Sequence, residues 1–184
     1  MQPSQVIKFG GIALGLGALA AITGRSRDER RAREAWAHLA VQASASSDAL
    51  TFTPEMVDGL PEPAQRYFHR VIAPGTRLRL ASIIDMTGKI GLGTKTRPGY
   101  MPMRAREIIA PPHGFVWAPR IGSGLLQISG ADAFAQGHGW TSFWLGSLIP
   151  VARSRPSADF DRSAAARSIL EALWARLRFS RSTE

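Results

Sequence analysis

The chain has 184 residues, no cysteine and a formal net charge of +9. The missing cysteine excludes a disulfide framework, thiolate chemistry and a cysteine metal site, and the length leaves about one domain beyond any targeting segment. The charge is mostly arginine, with lysine only at Lys8, Lys89 and Lys95. No nucleic-acid motif accompanies it, so anionic membrane lipids are the expected partner and nucleic acid is not.

Residues 6–22 read VIKFGGIALGLGALAAI, apolar apart from Lys8. A spanning helix needs about 20 residues, so this segment sits at the short end of the range. Gly11 and Gly15 lie on one helical stripe and would let a second membrane helix approach. A cleaved signal peptide is the alternative, because Ala18-Leu19-Ala20 fits a small-residue cleavage site. The two readings place the rest of the chain on opposite sides. Cleavage exports it. An uncleaved single-pass anchor, flanked by Arg25, Arg27, Arg30, Arg31 and Arg33, keeps it in the cytoplasm.

Ser26-Arg27-Asp28-Glu29 has capping-box spacing, which predicts a helix starting there after a bend near Thr23-Gly24. Ala32, Ala35, Trp36, Leu39, Ala40 and Ala43 continue it as an amphipathic helix, with Trp36 as a packing residue. Thr53-Pro54 opens a short helical turn and Pro61-Glu62-Pro63 a second helix that stops at Pro74-Gly75.

From residue 78 the period changes to two. Leu78, Leu80, Ser82, Ile84, Met86, Gly88, Ile90 and Leu92 share one face of a strand, opposite Arg77, Arg79, Asp85, Thr87 and Lys89. Further strands are predicted over 101–109, 114–118, 125–129 and 139–148, and strands in succession imply an antiparallel meander. Asp161 or Ser163 caps a final helix, with Ala166, Ile169, Leu170, Leu173, Trp174 and Leu177 as its apolar stripe and Arg167 and Glu171 at ion-pair spacing.

The predicted architecture is therefore α+β: an N-terminal membrane helix, amphipathic helices, and a curved antiparallel meander with a C-terminal helix packed on it. Residues 1–24 form the anchor or signal peptide, 25–48 the amphipathic helix and linker, and 49–184 the α+β domain. The expected apolar ligand face comprises Leu78, Leu80, Ile84, Met86, Ile90, Phe115, Trp117, Trp140 and Trp144. Arg79, Lys89, Lys95, Arg97, Arg104 and Arg106 are the candidates for headgroup contact.

Four histidines are present, none at metal-ligand spacing from another, and no P-loop, GxSxG or HExxH motif occurs. No metal and no cofactor are expected. Asp132, His138 and Glu171 are the candidates for an acid–base site of a hydrolase-like enzyme, the alternative to a non-enzymatic lipid-binding domain.

LPEPAQRYF at 60–68, GFVW at 114–117, Asp132-Ala133-Phe134 with Gly137 and Gly139, and RSILEALW at 167–174 occur in that order. Together they resemble the conserved blocks of a bacterial family of unknown function with an LPEPV-x-RY helix. The resemblance implies an N-terminal membrane segment and supplies no activity. Such proteins continue past the tryptophan with further strands, whereas Ala175-Arg176-Leu177 departs from that pattern. The resemblance thus implies a domain incomplete at its C-terminal end, with a truncated, non-functional paralogue as the remaining alternative.

Overall fold

The computed structural model describes residues 3–45, 51–78 and 81–176, with side chains for 16–42, 51–78 and 81–171. Helix α1 (Pro3–Ala45) is followed by a 3-10 turn (Pro54–Val57) and helix α2 (Glu62–Val71). Six strands come next: β1 (Ser82–Gly91), β2 (Tyr100–Ala110), β3 (Gly114–Ile121), β4 (Ile128–Ala135), β5 (His138–Leu145) and β6 (Ile149–Arg153). Helix α3 (Ala158–Arg176) closes the order. The strands form one open antiparallel sheet in sequence order, so the architecture is α+β, with α1 and α3 on the sheet.

Alternation along the strands assigns each residue to one of two covered faces. On one face, Ala32, Ala35, Trp36 and Leu39 of α1 pack on Ile108, Val116, Ala131, Ala133 and Trp140. On the other, Phe160 and Ala164 of α3 pack on Ile109, Phe115 and Phe134. The close seat of α3 depends on Gly139, where an added Cβ would lie 2.7 Å from that of Ala164. A third small cluster, Phe52, Val57 and Ile72 with Leu78, holds the 3-10 turn and α2 together.

Three expectations are corrected. Helix α1 runs unbroken from Pro3 to Ala45, so no separate helix starts at Ser26. Gly24 is instead a contact point, where a Cβ would lie 3.3 Å from the Trp144 ring. The fourth strand begins at Ile128, because Gly124–Leu126 forms a 3-10 turn, and a sixth strand follows the fifth. Lastly, α3 starts at Ala158, where the Phe160 amide donates to Ser157 Oγ, and Ala166, Ile169 and Leu170, the described residues of its expected apolar stripe, are turned outward. Ile169 and Leu170 are 66% and 68% exposed, while Ser168 is buried and Arg167 and Glu171 face the sheet. This rotation lets Arg167 pair with Asp132 and Glu107 of the sheet while Phe160 and Ala164 pack on it.

Among the described residues, no helix is long and apolar enough to cross a membrane. The apolar segment at 6–22 lies mostly outside the described side chains, as do Gly11 and Gly15, and Ala18-Leu19-Ala20 falls within α1. Arg79, Leu80, Leu173, Trp174 and Leu177 also lie outside them.

Candidate functional site

One row of residues runs across the sheet on the α3 face. Register pairs Ile84 with Glu107, Glu107 with Trp117, Trp117 with Asp132, and Asp132 with Thr141. Two carboxylates are thereby fixed on a largely apolar surface, with Trp117 between them. Helix α3 lays Arg167 over this row. Its Nη1 donates to Asp132 Oδ2, its Nη2 to Glu107 Oε1 at 3.3 Å, and its Nε to Glu171 Oε1 at 2.6 Å. The guanidinium also lies 4.2 Å above the Phe115 ring. Thr141 Oγ1 donates to Asp132 Oδ1 at 2.7 Å, which completes that carboxylate.

Three carboxyls share one cation, so the cluster carries excess negative charge. Glu107 absorbs the consequence. Its side chain is 5% exposed. Burial, followed by the neighbouring Glu171 charge, raises its pKa to about 7, against the pull of Arg167. The Arg167 pKa is raised too: burial opposes its charge, but Glu171, Asp132 and Glu107 outweigh that. Glu171 Oε2 is buried and receives no protein donor. Glu171 thus favours the protonated form of Glu107, both through its charge and as a hydrogen-bond partner.

Beside the pair is a cavity of about 420 Å3, lined by Ile84, Met86, Glu107, Trp117, Arg167 and Glu171. Its lining combines the apolar side chains of Ile84, Met86 and Trp117 with two carboxyls held by an arginine. Among the described residues, no group of histidine and carboxylate side chains is placed to hold a metal ion. Here the guanidinium already fills the space between the carboxylates.

Of the expected acid–base residues, Asp132 and Glu171 meet on Arg167, but His138 does not join them. Its Nδ1 lies 3.4 Å from Asp161 Oδ2, at the other end of β5 from Trp144. Of the expected ligand face, Ile84, Met86 and Trp117 line the cavity, and Phe115 is buried beneath Arg167. Trp140 and Trp144 are corrected to the opposite face. There Arg31 stacks 4.1 Å from the Trp140 ring centre, and Trp144 Nε1 donates to Asp28 Oδ2 at 3.0 Å. The parity of β5 allows nothing else. Leu78 packs with Phe52 and Ile72, and Ile90 lies farther along β1. Among the expected headgroup contacts, Arg106 is paired with Asp85 at 2.9 Å and stacks on Trp36. Lys89 and Arg104 are exposed on strands, and Lys95 and Arg97 in the β1–β2 turn.

Glu107 is absent from the expected site, although the signal for it is present. Met101, Met103, Ala105, Glu107 and Ile109 share one parity of β2. An acid among four apolar residues of one strand face is a buried acid unless the face is wet.

Neither the comparison with curated proteins nor that with solved structures found a match. The family model described as "Family of unknown function (DUF6544)" matches residues 50–175, which include the cross-sheet row, Arg167 and Glu171. On that match over more than half of its length, the chain belongs to the DUF6544 family.

Proposed function

We propose that the chain is a membrane-tethered, non-enzymatic domain that binds a small apolar molecule bearing a cationic or hydroxyl head. The apolar segment at 6–22 and the arginines after it support the tether. The observation that carries the binding reading is the cavity itself, where apolar side chains of Ile84, Met86 and Trp117 line one space with the Glu107 and Glu171 carboxyls. The apolar side chains favour a hydrocarbon body, and the excess negative charge favours a donor or cation over an acid. A bound ammonium favours ionised Glu107, so binding releases the proton that Glu107 carries.

Calorimetric titration of the full chain with hexylamine, hexanol and hexanoate tests this reading. The amine is expected to bind most tightly and the acid least, with an amine enthalpy that changes with buffer ionisation. Met86→Trp fills the cavity and is expected to weaken the amine at least tenfold without loss of fold. Equal affinity for amine and acid, or an indifferent Met86→Trp, would refute it. The hydrolase-like reading draws on one observation, a Glu107 carboxyl titrating near neutrality as a general acid or base must.

A further inference from the structure

We propose that the sheet end from which α1 projects is a lipid-contacting surface, with its loop tips immersed among anionic headgroups. This rests on the tether proposed above and adds which surface of the domain faces the bilayer. Helix α1 crosses the sheet with Arg25 near Ser129 and Trp36 near Arg106. Its residues before Gly24 therefore extend past the end where β3 meets β4 and β5 meets β6. Leu16, Leu19 and Ile22 on that projecting part are all more than half exposed.

Three loops share this end. The β3–β4 loop carries Leu125, 90% exposed, and Leu126, 68% exposed. The β5–β6 turn presents Leu148 and Ile149, both exposed. It touches the first loop through the Gly146 amide, which donates to Gln127 O at 2.9 Å. The β1–β2 turn, which leads into the start of β2 where Pro102 O accepts from the Gly122 amide, carries exposed Lys95 and Arg97. Leucines at the most exposed loop positions lose their hydration cost only by burial in another medium.

Charge selects that medium. No acid occurs between Asp85 and Glu107, between Glu107 and Asp132, or between Asp132 and Asp159. Those intervals hold every loop at this end, so Lys95, Arg97 and exposed Arg120 act there without acidic residues in the loops. Between this end of the sheet and α1, a groove of about 560 Å3 is lined by Arg25, Arg33 and Arg120 together with the α1 acids Asp28 and Glu29. Arg25 Nη1 there is buried without a hydrogen-bond partner, while its Nη2 pairs with Glu29 at 2.8 Å. Apolar tips, basic fringes and a helix leaving in the same direction match an anionic bilayer surface.

The absence of native cysteine makes the test clean. The full chain carrying Leu125→Cys is labelled with a polarity-sensitive dye and reconstituted into vesicles of phosphatidylglycerol and phosphatidylcholine. His113→Cys, in the exposed turn at the opposite end, is labelled as the control. The label at 125 is expected to shift to the blue and be quenched by spin-labelled lipid, at least fivefold more than at 113. Lys95→Glu with Arg97→Glu is expected to reduce that quenching. If the chain stays with the vesicles but both labels report water, the tether stands and the surface is wrong. If the chain does not stay with them, the tether fails and the inference fails with it. A label at 125 already protected before lipid is added indicates a second copy of the chain and also overturns it.

Discussion

Replacing Arg167 with alanine is expected to cost about 3 kcal/mol at pH 8, the lower part of the range for removing one partner of a buried ion pair. The lower part applies because the Arg167 side chain is 34% exposed. Without the guanidinium, Glu107, Asp132 and Glu171 face one another, with Thr141 donating to Asp132. The stacking over Phe115 is lost as well. Arg167→Lys keeps the charge but cannot reach three carboxylates with a planar fork, so an intermediate loss is expected. Chemical denaturation in mild detergent, followed by circular dichroism, measures both. The penalty should shrink at pH 5, where protonation relieves the repulsion among the carboxyls. A penalty below 1 kcal/mol at pH 8, or one that does not change with pH, would mean that the cluster is not held by its cation.

Glu107→Gln should have the opposite sign. A carboxyl raised to about 7 keeps its proton in the folded state while the unfolded chain loses it near 4.3. Between those values the folded state binds more protons, so this group's stabilisation is full below about 4.3 and is lost as pH rises to about 7. Glutamine removes that loss, since it is neutral at every pH and still offers a donor to Glu171. The variant is expected to be about 1–3 kcal/mol more stable than the parent at pH 8 and nearly equal to it at pH 4.5. A 1 kcal/mol gain corresponds to roughly 2–4 °C in Tm for a chain of this size. Thermal melts at the two pH values decide it, and a destabilised variant at pH 8 would show that ionised Glu107 is the preferred state.

Local signals in the sequence located the sheet well. Alternation from 82 to 91 and 100 to 110 is strong because each strand exposes one parity, and Gly and Pro punctuate the ends. The fourth strand was displaced because Leu125 and Leu126 look like strand residues but occupy a turn. Hydropathy cannot separate a leucine that packs from one that is presented. The same limit inverted α3, whose apolar stripe at Ile169 and Leu170 is real but faces outward. Its inward side instead carries Arg167, paired at long range with Asp132 and Glu107. The Arg167–Glu171 pair was legible from i,i+4 spacing, and Asp132 was singled out. Only register across four strand pairs could unite them with Glu107.

The meander also fixes an order of assembly. Every strand pairs with its neighbour in sequence, so the sheet closes through short loops at little entropic cost. The α1 contacts are different: Arg25 reaches Ser129, Asp28 reaches Trp144, and Asp28 reaches Arg153, across 104, 116 and 125 positions. A helix made first must therefore wait for partners made last, and local contacts form faster than distant ones. During refolding, amides of β2 to β5 should gain protection from hydrogen exchange before the α1 face of the sheet becomes dry. Simultaneous protection would indicate that α1 templates the sheet instead of docking onto it.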